Sequence, residues 1–154
     1  MPDAKPRTRR LIQYLLDTNI LLAYVRWQAL AQYIEATYQL GARRPAPIIS
    51  VVSEAEIRVL AAQNQWGEFK RRMLEEKMLD FLTIIPIPYK DVLTAYVEID
   101  DYSRRNGRVM GKNDIWIAAT ARVGKATILT TDRDFDHLHP HLITREYVNP
   151  NSHL

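Results

Sequence analysis

The chain has 154 residues, of which 47% are hydrophobic and 25% charged, and its formal net charge is +3. Such a composition excludes a disordered chain and fits about one globular domain with a real core. No apolar run approaches the roughly 20 residues that span a bilayer, and no signal-like apolar segment follows the basic start; cysteine is absent, which excludes disulfides and thiolate metal sites and is compatible with a cytoplasmic location.

Residues 1–11 read as a flexible basic arm, with Pro2, Pro6, Arg7, Arg9 and Arg10. The apolar run from Leu11 to Leu16 is short enough for a buried strand. Three polar residues, Asp17-Thr18-Asn19, interrupt it, and Ile20, Leu21, Leu22, Tyr24 and Val25 resume at helical length. This is the pattern of strand, tight turn and helix. Trp27 to Leu40 has helical spacing at Leu30, Tyr33, Ile34 and Tyr38, closed by Gly41 and a loop through Arg43-Arg44-Pro45.

Ile48-Ile49-Ser50-Val51-Val52 reads as a second strand and Ala55 to Ala62 as the helix after it, with Glu56 in its first turn. An amphipathic helix follows from Trp66 to Leu79. Phe81 to Ile85 reads as a third strand, ended by Pro86-Ile87-Pro88, and Tyr89 to Arg105 as a helix closed by Asn106-Gly107. Asn113-Asp114 opens another helix that ends at Gly124-Lys125. Ala126 to Thr130 is a fourth strand, and a last one is expected at Leu142-Ile143-Thr144.

Strands alternating with helices predict an α/β chain: a three-layer α/β/α sandwich around a parallel sheet of four to five strands. Ligands of such sheets bind beyond the carboxyl ends of the strands. Asp17, Glu56, Asp114 and Asp132 all fall at that address. Two of them have a local reading as well. Asp17 suits a helix cap, and Ser53-x-x-Glu56 matches a capping box. Together, four carboxylates at one rim repel one another unless a cation neutralises them. Hard oxygen ligands suit Mg²⁺ or Mn²⁺, and the chemistry that follows is metal-assisted hydrolysis. Basic clusters such as Arg43-Arg44, Lys70 to Arg72 and Arg104 to Lys112 read as solvated faces that leave room for a polyanion. His137-x-His139-x-His141 reads as a surface loop beside Pro140, and there is no Gly-rich phosphate loop.

At these residues the chain resembles PIN-domain proteins, specifically the VapC-type toxins of toxin–antitoxin pairs. The resemblance rests on Leu15-Leu16-Asp17-Thr18-Asn19, Ser50-Val51-Val52-Ser53-Glu54-Ala55-Glu56-Ile57, Asn113-Asp114-Ile115-Trp116-Ile117-Ala118-Ala119-Thr120-Ala121 and Leu129-Thr130-Thr131-Asp132-Arg133-Asp134-Phe135. It implies a nuclease domain over residues 12–146, with 147–154 as a loose tail. It implies an endoribonuclease in which Asp17, Glu56, Asp114 and Asp132 bind Mg²⁺ or Mn²⁺ and activate water, while Asn19 and Thr131 orient the site. Asp134 stands as an alternative or companion to Asp132. The resemblance also implies a homodimer, an antitoxin whose C-terminal segment covers the acidic pocket, and no membrane partner.

Rival readings are a housekeeping RNA-processing nuclease of the same fold and a non-catalytic nucleic-acid-binding module. A haloacid-type phosphatase wants Asp-x-Asp after the first strand, where this chain has Asn19, and a receiver domain wants an acidic pair near its start.

Overall fold

Two short buried runs, Tyr14–Leu16 and Thr127–Thr130, form the inner part of the sheet, and a more polar one, Thr144–Tyr147, forms its edge. Strand β1 (Tyr14–Leu16) pairs in parallel with β2 (Thr127–Thr130), and β2 pairs in parallel with β3 (Thr144–Tyr147). The structure, a computed structural model, describes residues 11–26, 28–81 and 89–154, the side chains of 77–81 and 89 excepted. Within those residues β1 is followed by helices α1 (Thr18–Arg26), α2 (Ala29–Tyr38), α3 (Val51–Gln63), α4 (Glu68–Phe81), α5 (Tyr89–Arg105) and α6 (Lys112–Gly124), then by β2 and β3.

Alternation along the strands sorts the core into two halves. Tyr14, Leu16 and Leu129 enter an apolar cluster with α1, α2, Ile57 and Ala61 of α3 and Leu74 of α4. Leu15 and Ile128 enter the other, with Ala95 and Ile99 of α5 and Ile115, Ile117 and Ala118 of α6. Successive strand side chains point to opposite faces, so this division means that helices cover both. The alanines of α6 let it approach the sheet closely: Ala118 and Ala119 have no exposed surface. The expected α/β/α layering with a parallel sheet is therefore present.

The sheet is smaller than expected, with three strands among the described residues where four to five were predicted. The expected second strand shrinks to one bridge. Ile48 N–H donates to Tyr14 O at 2.9 Å and Leu16 N–H to Ile48 O at 2.9 Å. The chain then turns helical, because the Ser50 hydroxyl accepts from Val52 N–H and caps α3. Ser50, not Ser53, is the cap, so the expected capping box is absent and Glu56 lies in the second turn rather than the first. Phe81 closes α4 instead of opening a strand. Residues 82–88, which held the rest of that expected strand and Pro86-Ile87-Pro88, lie outside the described residues, as do Trp27 and residues 1–10 of the basic arm.

The last strand starts at Thr144, because Leu142 and Ile143 N–H groups both bond back to Leu138 O in a turn. The chain stays packed past residue 146: Val148 is buried, and its N–H donates to Thr130 O at 2.8 Å. Helices α5 and α6 keep their expected limits, α6 ending on Lys125 with a left-handed φ of 51°. Among the described residues no helix is long and apolar enough to cross a membrane.

Candidate metal centre

Parallel pairing sends the C-terminal ends of β1 and β2 to one edge, and the acids gather there. Asp17 N–H donates to Leu129 O at 3.0 Å, which carries the pairing one residue past β1. Its carbonyl accepts from Ile20 N–H and so opens α1. The capping position and the site therefore coincide, but the carboxylate itself turns elsewhere. Oδ1 accepts from Thr18 N–H at 2.8 Å, and Oδ2 accepts from the Thr130 hydroxyl at 2.7 Å. Asp17 is 4% exposed. Burial pushes its carboxyl pKa up; the bonds from Thr130 and Thr18 pull the other way, and the charges of Asp132 and Glu56 push it up again.

Two threonine hydroxyls hold the acids in place. Thr130 Oγ1 donates to Asp17 while accepting from Asp132 N–H at 2.9 Å. Asp132 Oδ1 in turn accepts from Asp134 N–H at 2.9 Å, which folds the loop after β2 back on itself. Across the cavity Thr18 Oγ1 donates to Glu56 Oε1 at 2.9 Å and shares a hydrogen bond with the buried Ser53 Oγ at 3.0 Å. Asp114 stands in the first turn of α6, where the helix dipole favours negative charge. Even so, burial raises its carboxyl from 3.8 to about 7, followed by the fields of Asp17, Asp132, Asp134 and Glu56.

Asp17, Glu56, Asp114 and Asp132 line one cavity of about 670 Å³, together with Asn19, Asn113 and an apolar wall that includes Val52, Val59 and Trp116. A second cavity of about 430 Å³ lies at the other end of the strands, against Gln13, Thr127 and Thr144, and has no acid in its lining.

All four expected acids thus share one site, but the tightest grouping differs from the expected ligand set. Among the described residues, Asp114, Asp132 and Asp134 each offer an oxygen within 4.8 Å of the other two. Asp134 joins Asp132 rather than replacing it, while Asp17 and Glu56 stand further round the wall. This all-carboxylate donor set fits a hard divalent cation, and burial first and the neighbouring carboxylates second raise the Asp114 carboxyl there. Asn19 lines the cavity; Thr131 does not, and the hydroxyl that holds the acids is that of Thr130. The site roles of Thr18, Ser53 and Thr130 escaped the sequence reading.

The histidines take no part in this grouping. His137 Nε2 lies 2.8 Å from Ser103 Oγ, and His139 Nδ1 accepts from Arg145 N–H at 3.0 Å. Of the basic clusters, Arg104 and Arg105 each sit 3.0 Å from an aspartate one turn back in α5, and Arg43 lies over the Tyr14 ring.

The PIN domain family model matches residues 14–139. No curated protein sequence matches the chain. Among solved structures, the chain is similar to one of VapBC2 from Rickettsia felis bound to a DNA fragment from their promoter. That likeness has 22% identity and a TM-score of 0.74, over 90% of this chain and all (100%) of that one. VapBC-1 from nontypeable Haemophilus influenzae is similar at 22% identity and a TM-score of 0.68, over 88% and 98% of the two chains. FitAcB from Neisseria gonorrhoeae is similar at 24% identity and 0.69, over 86% and 96%. At these identities the likeness is one of fold.

Proposed function

The chain belongs to the PIN domain family, and on that premise we propose that it is a divalent-metal-dependent endoribonuclease, the toxin of a toxin–antitoxin pair. The observation that carries the reading is the convergence of Asp17, Glu56, Asp114 and Asp132 on one cavity from four separate stretches of chain. The fold it shares with solved structures described as a member of a family of toxin–antitoxin systems and as a toxin–antitoxin complex supports the toxin role.

In this reading Asp114, Asp132 and Asp134 hold Mg²⁺ or Mn²⁺. When bound, such a cation supplies positive charge and Lewis acidity to a phosphodiester. Asp17, fixed by Thr130 and Thr18, would add its negative charge to the same cation site. Glu56 Oε2 is the oxygen left free of the Thr18 bond to take a proton from the attacking water. Asn19 and Asn113 offer amide N–H donors to the phosphoryl oxygens from the cavity wall. RNA is the substrate, an antitoxin protein and a second copy of the chain are the partners, and the cytoplasm is the place of action.

The test is cleavage of a mixed RNA pool by the purified chain in Mg²⁺, in Mn²⁺ and in EDTA. Cleavage is expected with either ion and not with EDTA, and Asp17→Asn is expected to lose about 100-fold or more in rate, in the range for a removed electrostatic group at a reacting centre. Undiminished cleavage by Asp17→Asn, or by wild type in EDTA, overturns the reading.

A further inference from the structure

Arg133 separates Asp132 from Asp134, and its guanidinium lies over the Tyr147 ring, 4.1 Å from the centroid. Tyr147 ends β3 and is the in-register neighbour of Thr130 on β2, the residue whose hydroxyl holds Asp17 and Asp132. Side chains alternate along a strand. Ile128 enters the core cluster of α5 and α6, so Thr130 and its partner Tyr147 lie on that same face, where α6 carries Asp114. Adjacent strands are about 4.8 Å apart. The Arg133–Tyr147 pair therefore borders the acid site on its β3 side, although neither residue lines the cavity itself.

Asp136 holds the pair in place. Its Oδ2 lies 3.4 Å from Arg133 Nη1 and its Oδ1 3.2 Å from Arg145 Nη2, so one carboxylate serves two guanidinium groups. Among the described residues no other hydrogen bond engages the Arg133 side chain, and 68% of that side chain is exposed. A guanidinium carries five N–H donors in a planar fork. Here the fork is seated on a ring with most of its donors still open.

We propose that Arg133 holds the RNA phosphate next to the one being cleaved, so that Arg133 and Tyr147 set the register of the strand on the cation site. The inference rests on the nuclease reading above and adds a binding residue to it. A strand with one phosphate at Asp114 and Asp132 carries the next one past the rim, where the carboxylates repel it. A cation fixed at that rim offsets the repulsion. The arginine fork matches two phosphate oxygens at once, and a seat already ordered by Tyr147 and Asp136 reduces the entropy lost on binding. A cation over an aromatic ring is also common surface packing, found about once in 70–80 residues. What separates this one is the pairing of its seat with Thr130, which ties it to the acids through one hydroxyl. The plain alternative is that Arg133 only relieves the mutual repulsion of the acids, and the two roles part when a phosphate is made neutral.

The experiment measures affinity in Ca²⁺ for one oligoribonucleotide selected from the mixed pool and recovered intact. It is repeated with a single uncharged methylphosphonate moved stepwise through the linkages. Arg133→Ala, at an exposed position, is expected to fold and to weaken binding of the unmodified RNA about tenfold, in the range for one charge-assisted pair. The slope of log affinity against log salt is expected to flatten by about one. At one linkage the methylphosphonate is expected to weaken wild type by a similar factor and to leave Arg133→Ala unchanged; in Mg²⁺ that linkage is expected to adjoin the one cut. Tyr147→Phe keeps the ring and is expected to stay within about twofold, whereas Tyr147→Leu is expected to lose about threefold or more. Equal affinity of wild type and folded Arg133→Ala, or methylphosphonate effects equal in both at every linkage, overturns the proposal and leaves Arg133 as a counter-charge to the acids. A coupled linkage remote from the cut one overturns it as well. Coupling at one linkage with the RNA left uncut in Mg²⁺ and Mn²⁺ supports the phosphate contact and sinks the nuclease reading instead.

Discussion

Burial and the neighbouring carboxylates make the charge of Asp114 costly in the folded chain, and neutralising it tests the site directly. Burial, then the fields of Asp17, Asp132, Asp134 and Glu56, raises its carboxyl from 3.8 to about 7. A folded-state value above the unfolded one means that the folded chain holds this proton more tightly. The penalty is absent below about pH 3.8, grows as pH rises, and is complete above about pH 7. At full strength a gap of that size is worth about 4 kcal/mol. Asp114 is only partly buried, and solvent screening brings the figure to roughly 1–2 kcal/mol.

Asp114→Asn removes the penalty while keeping the shape of the side chain. In EDTA at about pH 8 the variant is expected to melt roughly 2–8 °C above wild type by calorimetry. At about pH 5 the gain is expected to shrink to less than half, since Asp114 is then mostly protonated in the folded chain. Saturating Mg²⁺ or Mn²⁺ reverses the order, because a cation at a hundredfold excess over its dissociation constant stabilises wild type by about 2.7 kcal/mol. Cleavage is lost in the variant throughout, a site that gives up stability for activity. A variant no more stable than wild type at about pH 8 in EDTA, or one whose gain ignores pH, refutes the electrostatic account of the cavity.

Substitutions at four further positions probe the site and the helix cap beneath it. Thr130→Val leaves Asp17 Oδ2 and Asp132 N–H without the shared hydroxyl, so a loss of about 1–3 kcal/mol in denaturant unfolding and a fall in kcat are expected, with Thr130→Ser restoring both. Ser50→Ala removes the cap of α3 and is expected to cost about 1 kcal/mol, whereas Ser53→Ala leaves α3 capped and is read in the orientation of Glu56, as a fall in kcat larger than its effect on melting. Asp134→Asn is expected to raise the half-saturating Mn²⁺ concentration about tenfold or more, measured by the cation-dependent shift in melting temperature; an unchanged titration removes Asp134 from the ligand set.

The parts of the molecule that could be read from the sequence are those whose signal is local. Helices α5 and α6 announce themselves by apolar spacing and by Asn106-Gly107 and Gly124-Lys125 at their ends, and their limits stand as expected. The misreadings arose where two local signals compete. Ile48-Ile49-Ser50-Val51-Val52 is β-branched throughout its apolar part, yet one hydroxyl accepting from Val52 N–H decides for helix and leaves Ile48 a single bridge on β1. The same shift moves the capping role from Ser53 to Ser50 and frees Ser53 to meet Thr18 inside the core. The site divides along the same line. Asp17 and Asp132 were legible because each follows an apolar strand at a turn, and parallel topology brings such turns to one edge, while Asp114 and Glu56 were read from their places near helix starts. The threonines that aim them were not, because their bonds reach 35 and 38 residues along the chain at Thr18 and 113 at Thr130, and no window of sequence contains both partners. A carboxylate can be found by its position at the end of a strand, but the hydroxyl that fixes its direction follows from tertiary packing, and it is the direction that turns a repelling cluster into a site a cation can occupy.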